Sequence, residues 1–155
     1  MMNKLLLIDG TALVFRGFYG IRNPMTNSQG LATNAIYGFF SMTFKCLLRY
    51  KPSHFAICFD RSEPTRRHTE YKEYKANRSK APDDLYTQLI IIKQILEKTN
   101  FNLIEKAGYE ADDIIATLQQ VHSPSIPTQI YSADFDLLQL VDNNTTVITP
   151  SSKEE

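Results

Sequence analysis

Short apolar runs alternate along this chain with longer segments in which apolar residues recur every three or four positions. The short runs are typical of buried strands, and the longer segments are typical of amphipathic helices. Such alternation indicates β-α-β units, which place parallel strands in a central sheet and helices on its two faces. We therefore predict an α/β fold with a mainly parallel sheet in three layers. The predicted strands are Lys4–Asp9, His54–Phe59, Phe101–Glu105, Gln129–Ser132 and Thr146–Ile148.

The helices are read from the 3.6-residue period and from the residues at their ends. The first predicted helix stops before Pro52, and the second is entered through a proline and two aspartates at residues 82–84. Residues 22–31 are polar and are predicted to form a loop, and the pair Asp9-Gly10 is predicted to turn the chain after the first strand. The predicted helices are Thr33–Tyr50, Leu85–Leu96, Glu110–Val121 and Asp134–Val141.

The length of 155 residues suits a single domain, and we predict one domain over residues 1–155. The apolar run Leu5–Ile8 ends at Asp9, so it is too short for a signal-peptide core or a membrane span. The two cysteines, Cys46 and Cys58, both lie in apolar runs and are expected to be reduced core thiols. We therefore expect a cytoplasmic protein that makes no membrane contact.

Acidic residues occupy the places where a parallel sheet would bring them together. Four of them follow the predicted first, second and fourth strands, and three open the helix after the third strand. In open α/β folds, the carboxyl ends of the strands form the ligand crevice. The seven acids are Asp9, Asp60, Glu110, Asp112, Asp113, Asp134 and Asp136.

Each acid taken alone has a purely structural explanation, as a turn residue, a helix cap or a partner of a helix dipole. Seven carboxylates at one edge would repel one another and raise each other's pKa unless a cation lay among them. Oxygen ligands without cysteine or clustered histidine select hard cations, which favours Mg²⁺ or Mn²⁺. Two such ions can hold the attacking and leaving oxygens of a phosphoryl displacement, so the pattern indicates phosphodiester hydrolysis.

The zero formal net charge conceals two oppositely charged regions. Residues 61–80 contain seven basic and three acidic residues, whereas residues 105–142 contain one basic and seven acidic residues. A solvated surface helix explains the basic segment by its charge pattern alone, but cations interleaved with tyrosines also suit a phosphate backbone with unpaired bases. If the segment is helical, one face carries Arg67, Tyr71, Tyr74, Lys75 and Arg78.

Two motifs together make a more specific pattern than any single acid. They are Gly108-Tyr109-Glu110-Ala111-Asp112-Asp113 and Ser132-Ala133-Asp134-Phe135-Asp136, in this order and spacing. With them the chain resembles the 5′-nuclease and flap-endonuclease family, which has a PIN-like fold and includes the 5′-nuclease domain of bacterial DNA polymerase I. The other matching motifs are Leu6–Gly10, Arg16 with Phe18-Tyr19, Ala35–Phe39, Phe59-Asp60, Arg67-His68 with Tyr71, Tyr74-Lys75 and Arg78, and Gln139-Leu140.

The resemblance implies a 5′-3′ exonuclease or 5′-flap endonuclease that acts on DNA 5′ ends in primer removal and repair. It implies that the seven acids are metal ligands and that Lys75 and Arg78 contact the scissile phosphate. It also implies that DNA is bound by Arg16, Arg67, Tyr71 and Tyr74. The cofactor is expected to be Mg²⁺ or Mn²⁺, with two ions in the complete enzyme, and the partner is DNA with a single-stranded 5′ end or flap. No small-molecule cofactor is expected, and nothing demands more than a monomer.

The family continues beyond the matched part into a helix-hairpin-helix-like module with two further aspartates, which this chain is expected to lack. An alternative function is therefore a DNA-binding fragment that keeps the fold with little or no catalysis. A phosphatase with an Asp-x-Asp-Gly-Thr loop is disfavoured, because Leu7 stands where its nucleophile would be. A receiver-type phosphoacceptor domain is disfavoured because several acids, rather than one acceptor, crowd the strand ends.

Overall fold

The computed structural model describes residues 3–23, 25–61, 63 and 81–150. Within these ranges, five strands form one sheet in the order β3-β2-β1-β4-β5, and every adjacent pair is parallel. The predicted α/β fold with a parallel sheet is confirmed. The strands are β1 Leu5–Asp9, β2 His54–Cys58, β3 Leu103–Ile104, β4 Thr128–Tyr131 and β5 Thr145–Ile148.

The strand β3 is shorter than predicted, with two residues in place of five. It lies at an edge of the sheet and pairs only with β2, through Ile57 with Leu103 and Cys58 with Ile104. The backbone amide of Phe101 instead donates to the carbonyl of Leu96, at the end of the preceding helix. Phe101, the first residue of the predicted strand, therefore bonds to the end of the preceding helix and does not extend β3.

All four predicted helices are present, with small shifts at their ends, and the last is a 3₁₀ helix. A further helix, α1, was not predicted beyond the turn at Asp9. It contains Gly10, Gly17 and Gly20, and glycine has a low helix propensity, which masks the helical pattern. The helices are α1 Gly10–Gly20, α2 Asn34–Tyr50, α3 Asp83–Lys98, α4 Ala111–His122 and the 3₁₀ helix Phe135–Leu140.

Two of the α1 glycines are explained by close packing. A Cβ atom on Gly10 would lie 2.5 Å from the Phe59 ring, and one on Gly38 of α2 would lie 2.6 Å from the Cα of Gly17. The backbones of α1 and α2 thus touch where these glycines face each other. The glycines that weaken the helical pattern are the ones that let the two helices pack together and let α1 start beneath Phe59.

The strand residues alternate between two hydrophobic clusters, one on each face of the sheet. Leu6 and Ile8 of β1 belong to a cluster with residues of α1, α2 and α3. Leu5 and Leu7 belong to the opposite cluster, with residues of α4 and Leu137 of the 3₁₀ helix. The connections from β1 to β3 therefore cover one face, and the connection from β3 to β4 covers the other. This reversal places the crevice of the sheet between β1 and β4.

The predicted residues Arg67, Tyr71, Tyr74, Lys75 and Arg78 lie outside the described residues. Among the residues that are described, none of the helices is both long enough and apolar enough to cross a membrane.

Candidate metal and nucleic-acid site

Asp9 ends β1 at the point where the strand order reverses, and its side chain is only 5% exposed. It caps α1, because its Oδ1 accepts a hydrogen bond from the amide of Ala12 at 3.0 Å. Its Oδ2 accepts a hydrogen bond from the Ser132 hydroxyl at 2.7 Å, across the crevice from the end of β4. Burial raises the pKa of Asp9 to about 6, although both hydrogen bonds lower it, and the charges of Asp60 and Asp134 raise it further.

Asp60 follows β2, and residues of α1 and α4 are among those that hydrogen-bond to it. Its amide donates to the hydroxyl of Thr11 in α1 at 2.9 Å. Its Oδ1 accepts a hydrogen bond from the amide of Ala111, the first residue of α4, at 2.6 Å. The carboxylate therefore lies at the positive end of α4, and its direction is set by backbone geometry.

The acids around the start of α4 form a capping box. The amide of Glu110 donates to Asp113 Oδ2 at 3.1 Å, and the Glu110 side chain accepts from the amide of Asp113 in return. Asp112 Oδ1 also accepts from the amide of Asp113, at 2.7 Å. Glu110 is buried, whereas Asp112 and Asp113 are half-buried. The structural explanation as helix-capping acids thus applies to this group, in addition to any role as metal ligands.

Asp134 and Asp136 are the exposed members of the set, on the segment that follows β4. Asp134 Oδ1 accepts from the amide of Asp136 at 2.9 Å, which makes it the cap of the 3₁₀ helix. The amide of Asp134 in turn donates to the Ser132 hydroxyl at 2.9 Å. Ser132 is fully buried, so a single hydroxyl links the buried carboxylate of Asp9 to the backbone that carries Asp134.

We call the seven acids at these strand and helix ends the acidic edge. Asp9 lies in electrostatic range of Asp60 and Asp134, as expected for neighbours at a topological switch point. In the part of the chain that the structure describes, no three acidic, histidine or cysteine side chains surround one point closely enough to form a compact metal site. The donors are nevertheless all carboxylate oxygens, which fits Mg²⁺ held by one or two carboxylates and several waters.

Cys58 is buried at the end of β2, and it is paired in register with Asp9. Burial, together with the smaller effect of the Asp9 charge, raises the pKa of its thiol to about 12. A raised pKa favours the neutral thiol, as expected for a cysteine buried in apolar surroundings. Both cysteines are buried, as predicted.

A groove of about 1180 Å³ runs beside the acidic edge. We define the groove by its walls, which are α1, α2 and the segment from Tyr131 to Asp136. Its cationic lining residues are Arg16, Lys45 and Arg49, and its acidic ones are Asp134 and Asp136. Arg16 was predicted to contact DNA, whereas Lys45 and Arg49 were not. Their spacing of four residues on α2 was the available signal, since it puts both on one side of that helix.

Aromatic side chains line the same groove. Tyr19 of α1 is 60% exposed and Tyr37 of α2 is 58% exposed, and Phe135 lies across from them at 71%. Large rings that face solvent beside cations are the combination found where proteins bind single-stranded nucleic acid. The groove thus brings cationic side chains and exposed aromatic rings beside the acidic edge.

A parallel sheet in the order 3-2-1-4-5, with acids at the carboxyl ends of β1, β2 and β4, is a PIN-like α/β fold. Residues 4–155 match the family model described as "5'-3' exonuclease, N-terminal resolvase-like domain". The chain belongs to this family.

Curated relatives agree with that assignment. The chain is 42% identical to a 5'-3' exonuclease of Aquifex aeolicus over 154 residues, which are 99% of this chain and 53% of the relative. It is 40% identical to DNA polymerase I of Caldicellulosiruptor bescii over 151 residues, which are 97% of this chain and 18% of the polymerase. The chain therefore spans about half the length of the first relative and less than a fifth of the second.

Solved structures share the fold at lower sequence identity. T5 5'-exonuclease with bound divalent metal ions (zinc) aligns with a TM-score of 0.68 and 21% identity, over 95% of this chain and 55% of that one. The catalytic core of Rad2 in complex with DNA substrate aligns with a TM-score of 0.60 and 18% identity, over 99% of this chain and 46% of that one.

Proposed function

We propose that this chain carries the metal-binding half of a divalent-metal-dependent 5′-nuclease that hydrolyses phosphodiester bonds at DNA 5′ ends. The observation that carries the proposal is the position of Asp9. It is a buried carboxylate at the switch point of the sheet, coupled to Asp60 and Asp134, beside a groove lined by cations and exposed rings. Membership of the 5'-3' exonuclease family supports the same reaction.

Burial of Asp9 is costly for the free protein, because the carboxylate loses its hydration among like charges. A divalent cation beside Asp9, Asp60 and Asp134 would remove that cost, and the all-oxygen donor set favours Mg²⁺ or Mn²⁺. When bound, such an ion lowers the pKa of its water and stabilises negative charge on a phosphoryl group. The neighbouring acids Glu110, Asp112, Asp113 and Asp136 would hold its remaining waters or a second ion in the complete enzyme.

The chain's own residues would orient the DNA along the groove. Arg16, Lys45 and Arg49 would bind successive phosphates, and the exposed rings of Tyr19 and Tyr37 would stack on unpaired bases. The strand would then reach Asp134 and the acidic edge at the end of the groove. Opposite charges on adjoining surfaces thus separate the binding of the strand from the binding of the metal.

The basic segment completes the proposal. As the family resemblance implies, Lys75 and Arg78 would contact the scissile phosphate and offset the charge that develops on it. Arg67, Tyr71 and Tyr74 would guide the single-stranded 5′ end or flap. We further propose a cytoplasmic monomer that acts in primer removal or repair.

The second candidate is a DNA-binding fragment with little or no catalysis. It is favoured by the finding that, over the described ranges, no three ligand-type side chains form a compact metal site. The two candidates differ in one measurable property, since both bind DNA but only the nuclease needs the acidic edge to cleave it.

The first experiment is cleavage of a labelled 5′-flap DNA with Mg²⁺ or Mn²⁺. Wild type is compared with Asp134→Ala and Lys75→Ala, and the control is Glu97→Ala, an exposed acid in α3 near the opposite end of the sheet. We expect metal-dependent cleavage that both site variants lose and that the control keeps. Cleavage that needs no metal, or that survives Asp134→Ala, would contradict the mechanism, and no cleavage by any variant alongside tight DNA binding would favour the second candidate.

Metal binding is tested without turnover. Mn²⁺ is titrated into wild type, Asp9→Ala and Asp112→Ala, and binding is followed by electron paramagnetic resonance. We expect weaker binding in both variants, and more so in Asp9→Ala because that carboxylate is the buried one. Equal affinity in all three proteins would count against a carboxylate metal site.

A further inference from the structure

Lys93 lies in α3 directly after three isoleucines, yet its charged end is placed at the acidic edge. Its Nζ donates to the backbone carbonyl of Asp60 at 3.0 Å and to Glu105 Oε2 at 2.5 Å. The side chain is only 20% exposed, and its Nζ lies 5.2 Å from the centre of the Phe59 ring. The charge of Lys93 is thus largely withdrawn from solvent and bound to the backbone of Asp60.

The hydrogen bond from Lys93 to Asp60 lies just after the last residues at which β2 pairs with β3. The last β2–β3 hydrogen bond runs from the amide of Phe59 to the carbonyl of Ile104, at 2.9 Å. The next residue on each side is Asp60 and Glu105, and Lys93 bonds to both. The ammonium group of Lys93 therefore connects the two strand ends one residue beyond their last backbone hydrogen bond. One of the two residues it connects is Asp60, which carries the carboxylate of the acidic edge.

Three helices consequently bind Asp60 through three different atoms. Thr11 of α1 accepts from its amide, Ala111 of α4 donates to its Oδ1, and Lys93 of α3 donates to its carbonyl. The first and third of these bonds fix the two peptide planes that flank the Cα atom. Fixing both planes restricts the direction of the Cα–Cβ bond, and with it the position of the carboxylate.

We propose that Lys93 is a positioning residue that holds the Asp60 carboxylate in place for metal binding, and that Glu105 keeps the ammonium group on the Asp60 carbonyl. The inference rests on the proposed function, because it assigns Asp60 a role in binding the metal. Glu105 also lies 4.0 Å from the guanidinium of Arg61, the first residue of the basic segment. Lys93 without Glu105 would be free to turn toward solvent, so both members of the pair are needed.

The test uses Lys93→Met, which keeps the length of the side chain and removes its charge, and Lys93→Arg, which keeps a donor. The control is Lys98→Met, an exposed lysine in the last turn of the same helix. Two properties are measured: the Mn²⁺ dissociation constant, and the amide proton shift of Ala111, which reports the hydrogen bond to Asp60 Oδ1. Loss of a residue that orients a metal ligand typically weakens metal binding by about 10-fold or more.

We expect Lys93→Met to raise the Mn²⁺ dissociation constant by about 10-fold and to shift the Ala111 amide proton upfield, toward the value of a weaker hydrogen bond. Lys93→Arg should restore most of both properties, and Lys98→Met should change neither. A wild-type Mn²⁺ dissociation constant in a folded Lys93→Met protein would overturn the proposal, whether or not the Ala111 amide proton shifts. If Lys93→Met does not fold, Glu105→Gln is measured instead and should change both properties in the same direction, whereas wild-type values there would overturn it.

The two proposals fail in distinguishable ways. Wild-type protein that binds no Mn²⁺, or an Asp9→Ala variant that binds it normally, removes the proposed function. The Ala111 amide proton still reports whether Lys93 orients Asp60 in that case. Normal metal binding in Lys93→Met, with clear loss in Asp9→Ala, removes only the positioning role.

Discussion

The acidic edge and the wall of the groove lie side by side, but their charged groups are held in different ways. At the edge, Asp9 and Asp60 are bound by backbone amides and by the buried hydroxyl of Ser132. On the groove wall, Lys45 and Arg49 project from the exposed side of α2. At the edge, Asp9 is desolvated and Asp60 is oriented by hydrogen bonds, whereas Lys45 and Arg49 on the wall are exposed to solvent.

This difference predicts how strongly substitutions in each region should affect catalysis, stability and DNA affinity. Charges in a desolvated site interact strongly, because little water screens them. Charges on an exposed helix are screened by water and salt, so each one contributes little. Changes at the edge should therefore alter chemistry and stability strongly, whereas changes on the wall should alter DNA affinity weakly and in a salt-dependent way.

The largest effect is expected from Asp9→Asn. The substitution keeps the size of the side chain but removes the charge, and we expect flap cleavage to fall by about 100-fold or more, as when a preorganised electrostatic group is lost. Single-turnover rates at saturating Mg²⁺ measure the effect, with Glu97→Gln as the control. Cleavage within a few-fold of wild type would mean that the edge does not dominate the chemistry.

The same residue should make stability depend on pH. The pKa of Asp9 is raised from 3.8 to about 6 in the folded state, so the unfolded chain loses this proton first as pH rises. The contribution of Asp9 to the free energy of unfolding is therefore highest below about pH 4, falls as the pH rises to about 6, and then stays level. The total loss is about 3 kcal/mol. Urea unfolding of wild type and Asp9→Asn at pH 4 and pH 7 measures it, and an equal difference between the two proteins at both pH values would contradict the shift.

The next effect concerns the shape of the groove wall. A Cβ atom on Gly38 would lie 2.6 Å from the Cα of Gly17, so Gly38→Ala should force α1 and α2 apart and destabilise the fold by about 1–3 kcal/mol. Gly20→Ala is the matched control, because nothing lies within 4 Å of its added methyl group, and it should be neutral or stabilising by up to about 1 kcal/mol. Thermal unfolding compares the two, and equal stabilities would show that the helices do not need this close approach.

The smallest effect is expected from Lys45→Ala. Loss of one exposed phosphate contact should weaken DNA binding by a few-fold and reduce the slope of log affinity against log salt by about 0.7–0.9. Fluorescence anisotropy across a salt series measures the change, and Lys98→Ala, near the opposite end of the sheet, is the control. If Lys45→Ala instead changed the cleavage rate of bound DNA and left the affinity unchanged, Lys45 would act in the cleavage step and not in DNA binding.

Much of the fold was predictable because it depends on local patterns. The five strands and four of the helices follow from the spacing of apolar residues, and the placement of acids after strands follows from the same spacing. The helix α1 was missed because its glycines lower the helical propensity. Those glycines serve contacts with Gly38 and Phe59, which lie 21 and 49 positions away, and no local window contains such partners.

The sequence proposes seven acids as metal ligands, but it does not predict how deeply each one is buried or which groups hold it. In the structure, Asp9 and Glu110 are buried, Asp60, Asp112 and Asp113 are half-buried, and Asp134 and Asp136 are exposed. The roles of Lys93 and Lys45 were not predicted, since a lysine in a helix is usually a solvated surface residue. Their placement depends on which face of the helix the rest of the fold covers.

The sequence by itself determined that this chain builds a parallel sheet with carboxylates at the strand ends, because periodicity and strand polarity are properties of neighbouring residues. Only the tertiary structure decided which carboxylates are buried and what holds them. The hydrogen bond from Ser132 to Asp9 joins residues 123 positions apart, and the bond from Lys93 to Asp60 joins residues 33 positions apart. The pKa of Asp9 and the direction of Asp60 arise from such contacts, since desolvation and orientation exist only once distant segments have packed together.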